Sequence, residues 1–141
     1  MQMGFYFDQS RCVGCYVCVA ACRSWNQLDQ EMPNPVEIRT REKGEFPVLS
    51  VTHLFLTCFH CAQPLCVPAC PEGLLVKRSR DGIVVISDAE RCTGCQLCAE
   101  ACPYDAAKPV TGSKINIVKC DLCLDRLSQG KAPTCVSACP T

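Results

Sequence analysis

Histidine is almost absent from this chain of 141 residues: only His53 and His60 occur. No serine-histidine-acid motif, phosphate-cradling glycine loop or nucleotide fingerprint is present, so hydrolytic and nucleotide chemistry have no visible seat. An excess charge of one sign is missing too. Lys plus Arg equal Asp plus Glu at 14 each, which denies the chain the basic field that a nucleic acid would need. Long apolar runs are lacking, each being broken by Cys, Pro or charge short of the roughly 20 residues that cross a bilayer. No membrane span of its own is expected. Residues 1–11 show no basic stretch followed by an apolar leader, so secretion is not expected either, and with it goes the disulfide scaffold that dense cysteine would otherwise suggest. The length allows one domain, or two very small ones, with a modest apolar core.

What the chain has is cysteine, sixteen in all, in a composition that is 48% hydrophobic. Cys92-Thr93-Gly94-Cys95-Gln96-Leu97-Cys98-Ala99-Glu100-Ala101-Cys102-Pro103 has the spacing by which bacterial ferredoxins hold iron-sulfur clusters. In two-cluster versions of that run, the fourth cysteine serves the other cluster. Three further groups accompany it: Cys12, Cys15, Cys18 and Cys22; Cys58, Cys61, Cys66 and Cys70; Cys120, Cys123, Cys135 and Cys139. Four groups of four match four 4Fe-4S clusters and leave no thiol over. Structural zinc wants four ligands around one point, usually from two separated pairs, and has no use for the third member of each triplet. With every cysteine engaged, a cysteine nucleophile is not expected, and the chain alone is not read as catalytic.

An internal echo runs through the sequence. Asp8-Gln9-Ser10-Arg11-Cys12-Val13-Gly14-Cys15 returns as Ser87-Asp88-Ala89-Glu90-Arg91-Cys92-Thr93-Gly94-Cys95, implying one structural unit used twice. Gly14 and Gly94 sit where a loop wrapping a cluster needs positive φ or close backbone approach. Residues 17–26 and 96–102 read as short helices carrying the fourth cysteine about one turn beyond the third. A turn is expected at Met32-Pro33-Asn34-Pro35, extended backbone over 36–40 and 48–56, and a solvated charged connection over 39–45. Residues 74–77 and 83–86 read as a hairpin about Asp81-Gly82, 114–119 as a strand, 124–128 as a helix and 129–133 as a turn. The eleven residues between Cys123 and Cys135 are too many for a plain ferredoxin loop and read as a contact surface or a structural excursion. The aromatic segment 4–8 reads as a strand. If the repeat holds, its partner strand is missing, and an exposed edge is expected there, open or filled by another polypeptide.

Three side chains stand near the cysteines with open roles. His60 is either a hydrogen-bond donor or proton partner of a cluster, or a solvated or packed loop residue. Trp25 either packs over a cluster or serves an interface. Arg23, standing where the other groups have Pro, is either a cation favouring the reduced cluster or a surface charge.

The segment 8–15, Cys58-Phe59-His60-Cys61, Ala101-Cys102-Pro103-Tyr104 and Lys119-Cys120-Asp121-Leu122-Cys123 together resemble the four-cluster iron-sulfur subunit of the dimethyl sulfoxide reductase family, over essentially the whole chain. The resemblance implies an α+β fold of two interlocked bacterial-ferredoxin-like halves, each with two 4Fe-4S clusters, built from short helices, hairpins and long cluster-binding loops. The outer half would take residues 1–50 and 111–141, the inner half 51–110. It implies cluster 1 on Cys12, Cys15, Cys18 and Cys139; cluster 2 on Cys22, Cys120, Cys123 and Cys135; cluster 3 on Cys58, Cys61, Cys66 and Cys102; cluster 4 on Cys70, Cys92, Cys95 and Cys98. Nitrate reductase relatives replace a third-group cysteine by Trp and hold a three-iron cluster. Cys95 stands here, so four cubanes are expected.

Function follows from the same resemblance: an electron wire between a molybdenum- or tungsten-pterin catalytic subunit, nearest cluster 1, and a quinone-linked membrane partner or soluble redox partner, nearest cluster 4. The chain ends two residues after its last cysteine, where the family usually continues in a tail. That leaves two alternatives: a polyferredoxin-like subunit of a soluble tungsten or molybdenum aldehyde oxidoreductase, stacked on copies of itself, or a free polyferredoxin carrier. Neutral charge and high apolar content favour the obligate subunit. The expected location is the cytoplasm, or a membrane reached through a partner, with co-export alongside a signal-bearing partner as a further route.

Overall fold

Short apolar stretches separated by cysteine loops cannot make a large sheet, and among the described residues the strands pair only two by two. The computed structural model describes residues 1–110 and 116–141. In chain order the elements are α1 (Val17–Trp25), β1 (Glu37–Glu45), β2 (Val48–Leu56), β3 (Leu75–Lys77), β4 (Val84–Ile86), α2 (Leu97–Glu100), β5 (Lys108–Pro109), β6 (Ile117–Val118), α3 (Leu124–Ser128) and α4 (Thr134–Ala138). β1–β2, β3–β4 and β5–β6 form three antiparallel ribbons. The result is a mixed helix and strand structure in which loops carry most of the cysteines.

The β3–β4 hairpin supplies the central packing. Leu75, Val84, Cys98, Ala107 and Ile117 form one buried group, with Cys66, Cys70 and Cys92 packed against it. Cys58, Ala106 and Cys120 form a second, with Phe5 and Cys102 against it. The turn between β3 and β4 is locked by Asp81, whose carboxylate accepts from the Ile83 N–H at 3.1 Å and pairs with Arg78 at 3.0 Å. At Gly82, φ of +73° closes the turn, a conformation glycine adopts without steric cost. Elsewhere α1 packs against α4, joining an early segment to a late one. No helix among the described residues is long and apolar enough to cross a membrane.

Several expectations are corrected here. Residues 4–8 are not a strand: Met3 donates to the Asp81 carbonyl at 2.8 Å. Phe5 and Phe7 then pack on Phe55 of β2, with ring centroids 5.4 and 5.6 Å apart. Ring packing rather than a ladder holds this segment. The charged run 39–45 is no loop but most of β1, pairing from Glu37 opposite Leu56 to Glu45 opposite Val48. It is exposed along nearly all its length, and cross-strand hydrogen bonding with an apolar partner strand outweighs its poor strand composition. The second expected helix shrinks to α2, because Pro103 follows closely and cannot continue it. β5 and α4 were not foreseen. Of the strand expected over 114–119, Ile117–Val118 is present, and residues 114–115 lie outside the described residues.

Candidate iron-sulfur cluster sites

The repeated cysteine loops have repeated local geometry. Asp8 Oδ1 accepts from the Ser10 N–H at 3.0 Å, and Asp88 Oδ1 from the Glu90 N–H at 3.1 Å, so each first cysteine follows the same carboxylate-locked turn. Gly14 and Gly94 have φ of +66° and +72°, and Tyr16 and Gln96, the residues after the second cysteines, +60° and +64°. Alternating left-handed residues curl both loops so that successive cysteines face one side. The two glycines differ in surroundings. A methyl group on Gly14 would press into the His53 imidazole, which is bonded to Thr40 Oγ1 at 3.0 Å, whereas one on Gly94 would meet Asn116 at an ordinary 3.5 Å. Gly14→Ala and Gly94→Ala should each cost about 1–2 kcal/mol in left-handed strain, with roughly 1 kcal/mol more at Gly14 for displacing His53. Thermal bleaching of cluster absorbance should therefore set in earlier for Gly14→Ala. Equal onsets would show that His53 moves freely.

All sixteen cysteines carry free thiols, and the fold gathers them across the chain. Cys70, Cys92, Cys95 and Cys98 line one largely enclosed cavity. Cys22, Cys120, Cys123 and Cys135 line a second. Cys12, Cys15, Cys18 and Cys139 border an open groove of about 310 Å³, which Cys135 also lines. Cys66 lies near Cys58 and Cys102, whose charges bear on its thiol, and Cys61 follows in the same loop.

Burial, then neighbouring cysteines, pushes Cys22 and Cys135 up to about 12 and Cys98 to about 11. Burial raises Cys18, Cys66, Cys120 and Cys123 as well, whereas hydrogen bonding to Thr141 lowers exposed Cys139. Iron binding would displace the proton from each of these sulfurs, as a bound cation does. A buried polar atom lies within one of the cysteine loops. His60 is fully buried, and its Nε2 has no partner. The solvated-loop alternative for His60 is thereby removed. Burial, then the Lys119 and Lys77 ammonium groups, pulls its imidazole down to about 3, so the ring is neutral. The donor chemistry fits iron-sulfur clusters.

Backbone amides reach the sulfurs in a regular way that the sequence did not disclose. Leu74 N–H donates to Cys70 Sγ and Ala106 N–H to Cys102 Sγ, both at 3.4 Å and both four residues beyond the cysteine. Pro71 and Pro103 prevent a helix from running on past these cysteines, which leaves those amides free for sulfur. Cys22 is followed by Arg23 instead, the helix continues, and the Asn26 backbone amide is spent on the Cys22 carbonyl. The Asn26 side chain stands there instead, Nδ2 donating to the Cys22 carbonyl at 2.8 Å and lying 3.5 Å from Cys22 Sγ. Asn26→Leu should shift one cluster about three- to tenfold toward its oxidised form, roughly 30–60 mV at 59 mV per tenfold. A redox titration followed by electron paramagnetic resonance (EPR) would detect it.

Arg23 and Trp25 are structural. The Arg23 guanidinium bonds the Met32 carbonyl and Asn34 Oδ1, each at 2.9 Å, fastening the end of α1 to the following turn. Trp25 Nε1 donates to Asp125 at 3.1 Å, with the Arg126 guanidinium 4.8 Å from the ring centroid. Through Asp125 and Arg126 the long fourth-group insertion packs on Trp25 of α1.

Comparison with known proteins agrees with this construction. Two 4Fe-4S dicluster domain families match, over residues 50–141 and 11–75. The B component of the anaerobic dimethyl sulfoxide reductase of Haemophilus influenzae is 37% identical over 99% of this chain and 70% of its own length. The chain therefore belongs to the iron-sulfur subunits of the dimethyl sulfoxide reductase family. The B component of the sulfite dehydrogenase of Allochromatium vinosum is likewise 37% identical, over 99% of this chain and 65% of its own. Protein NrfC of Escherichia coli is 38% identical, over 100% and 63%. The chain thus spans about two thirds of the length of these curated relatives. Its cofactors are 4Fe-4S clusters, and its sixteen cysteines fit four of them.

Proposed function

We propose that this chain is the electron-transfer subunit of a molybdenum- or tungsten-pterin oxidoreductase, holding four 4Fe-4S clusters in series on the four cysteine quartets of the family pattern. Iron-sulfur clusters supply one-electron storage without bond-making chemistry. The cysteines hold and order that storage, and amides aimed at sulfur, burial and nearby charge set its potentials.

The observation that carries this reading is the sequence of contacts between quartets. Cys135 borders both the groove of Cys12, Cys15, Cys18 and Cys139 and the cavity of its own quartet. Cys120 packs beside Cys58, joining the second quartet to the third. Cys66 and Cys70 share a core group, joining the third to the fourth. Exposed cysteines occur only at the two ends of this series, Cys15 and Cys139 at one and Cys95 at the other. Shielded middle sites between accessible ends suit a conduit with separate entry and exit.

By the family resemblance, the first quartet faces the pterin-bearing subunit and the fourth a quinone-linked membrane partner or soluble carrier. The packing of α1 on α4 supports an outer half built from residues 1–50 and 111–141, interlocked with an inner half over 51–110.

The reading is tested by purifying the native complex anaerobically through this chain, weighing it intact and counting iron, molybdenum and tungsten. A large co-purifying subunit with pterin metal and about sixteen irons on this chain is expected. One small species with the same iron and no partner would make the chain a free polyferredoxin and overturn the subunit reading.

A further inference from the structure

His60 is the residue whose placement ordinary packing does not explain. It lies between Cys58 and Cys61 at φ +48° and is 0% exposed. The Val84 backbone N–H donates to its Nδ1 at 3.0 Å. A nitrogen that accepts carries the lone pair, so the ring is neutral and its proton sits on Nε2. That same Nδ1 is 3.8 Å from Cys58 Sγ, so the ring lies against a sulfur of this loop. Nε2 is the side-chain nitrogen or oxygen among the described residues that is buried without a partner. A buried N–H does not stay unpaired without cause.

The surroundings hold the ring in place. Lys77 Nζ donates to the carbonyls of Cys61 and Gly82 at 2.8 and 2.9 Å and to Gln2 Oε1 at 2.8 Å. Lys119 Nζ donates to the Cys120 carbonyl at 2.7 Å and also to that of Val84. The two ammonium groups both bear on the His60 ring, and no acceptor for Nε2 is supplied by the described residues.

We propose that His60 is a potential-setting residue, its Nε2–H donating to a sulfur of the cluster held by Cys58, Cys61, Cys66 and Cys102. The inference rests on that ligand set. A hydrogen bond to cluster sulfur favours the reduced, more negative state, so His60 raises the potential of this one cluster.

The test uses the anaerobically purified complex and redox titration followed by EPR. His60→Leu removes the donor at similar volume, and His60→Gln keeps an N–H near the Nε2 position. For His60→Leu, one of the four midpoints should fall by about tenfold in its reduction equilibrium, 59 mV for one electron. His60→Gln should recover at least half of that. Four unchanged potentials, or equal shifts in both variants, would overturn the proposal.

Leucine is strained at a positive φ, so a measurement without substitution stands beside these. In wild-type protein labelled with ¹⁵N-histidine, pulsed EPR should find nitrogen coupled to the cluster of Cys58, separate from any coupling that His53, which lies against Gly14 of the first loop, gives to the first cluster. No coupling would overturn the role of His60. A Cys66→Ala variant identifies which signals belong to that cluster. If the signals it removes are not those coupled to nitrogen, the role of His60 fails. If it removes none, the ligand set fails instead.

Discussion

Replacing Cys70 by alanine is expected to remove about four of roughly sixteen irons, and to remove them from the site of Cys92, Cys95 and Cys98, not from that of its chain neighbours Cys58, Cys61 and Cys66. Chain order alone would place Cys70 with the group in which it stands. The fold separates them: Cys70 shares an enclosed cavity with Cys92, Cys95 and Cys98. Burial and then Cys70, Cys92 and Cys95 hold the Cys98 thiol at about 11. Cys102→Ala should do the reverse and spoil the Cys58 site, so EPR spectra of the two variants should lose different components. If both lost the same one, the crossed arrangement would be wrong. Loss of an outer-shell partner already costs about 10–100-fold in metal affinity or activity. Removal of a ligand should therefore cut through-chain electron transfer by at least about 100-fold, measured with a dye reductant at one end and substrate turnover at the other.

Stripping the iron with ferricyanide and a chelator should unfold most of the chain, the second large effect expected. Cysteines make up much of what is buried: Cys22, Cys58, Cys98, Cys120, Cys123 and Cys135 all lie in the core. α2, α3 and α4 have four or five residues each and no side-chain cap at their first turn, far below the roughly 12–15 residues at which an isolated helix becomes even marginal. β5 and β6 have two residues each. Elements this short are not expected to persist once the clusters beside them are gone. The β1–β2 hairpin has nine-residue strands, but a lone hairpin is marginal in water. Metal binding is here folding free energy. Far-ultraviolet circular dichroism should collapse together with the visible absorbance, and anaerobic reconstitution with iron and sulfide should restore both. A stripped chain that kept its native dichroism would show that apolar packing suffices and that the clusters are passengers.

Much of the candidate site was legible in the cysteine spacing, because a tight loop can reach several corners of a cubane only with cysteines at short fixed intervals. The repeat of Asp8 to Cys15 in Asp88 to Cys95 was equally readable, since the same local turn needs the same carboxylate and the same glycine. His60 was visible as a candidate donor but not as a buried one: its burial depends on Val84, Lys77 and Lys119, which lie far along the chain. Asn26 carries no signal in the sequence, because its role appears only when a helix continues where the other three groups have proline. The charged strand β1 was misread because its conformation is imposed by pairing with β2 rather than by its own composition.

By itself, the sequence determined the cofactor class, the number of clusters the thiols can serve and the local shape of the loops, all of which depend on residues within a few positions of one another. Only the tertiary structure decided which distant cysteines share a cavity, the order in which the quartets touch, and which ends reach solvent. Those features arise from packing segments a hundred residues apart and more, as Trp25 against Asp125 and Cys12 beside Cys139 show, and no local spacing encodes them.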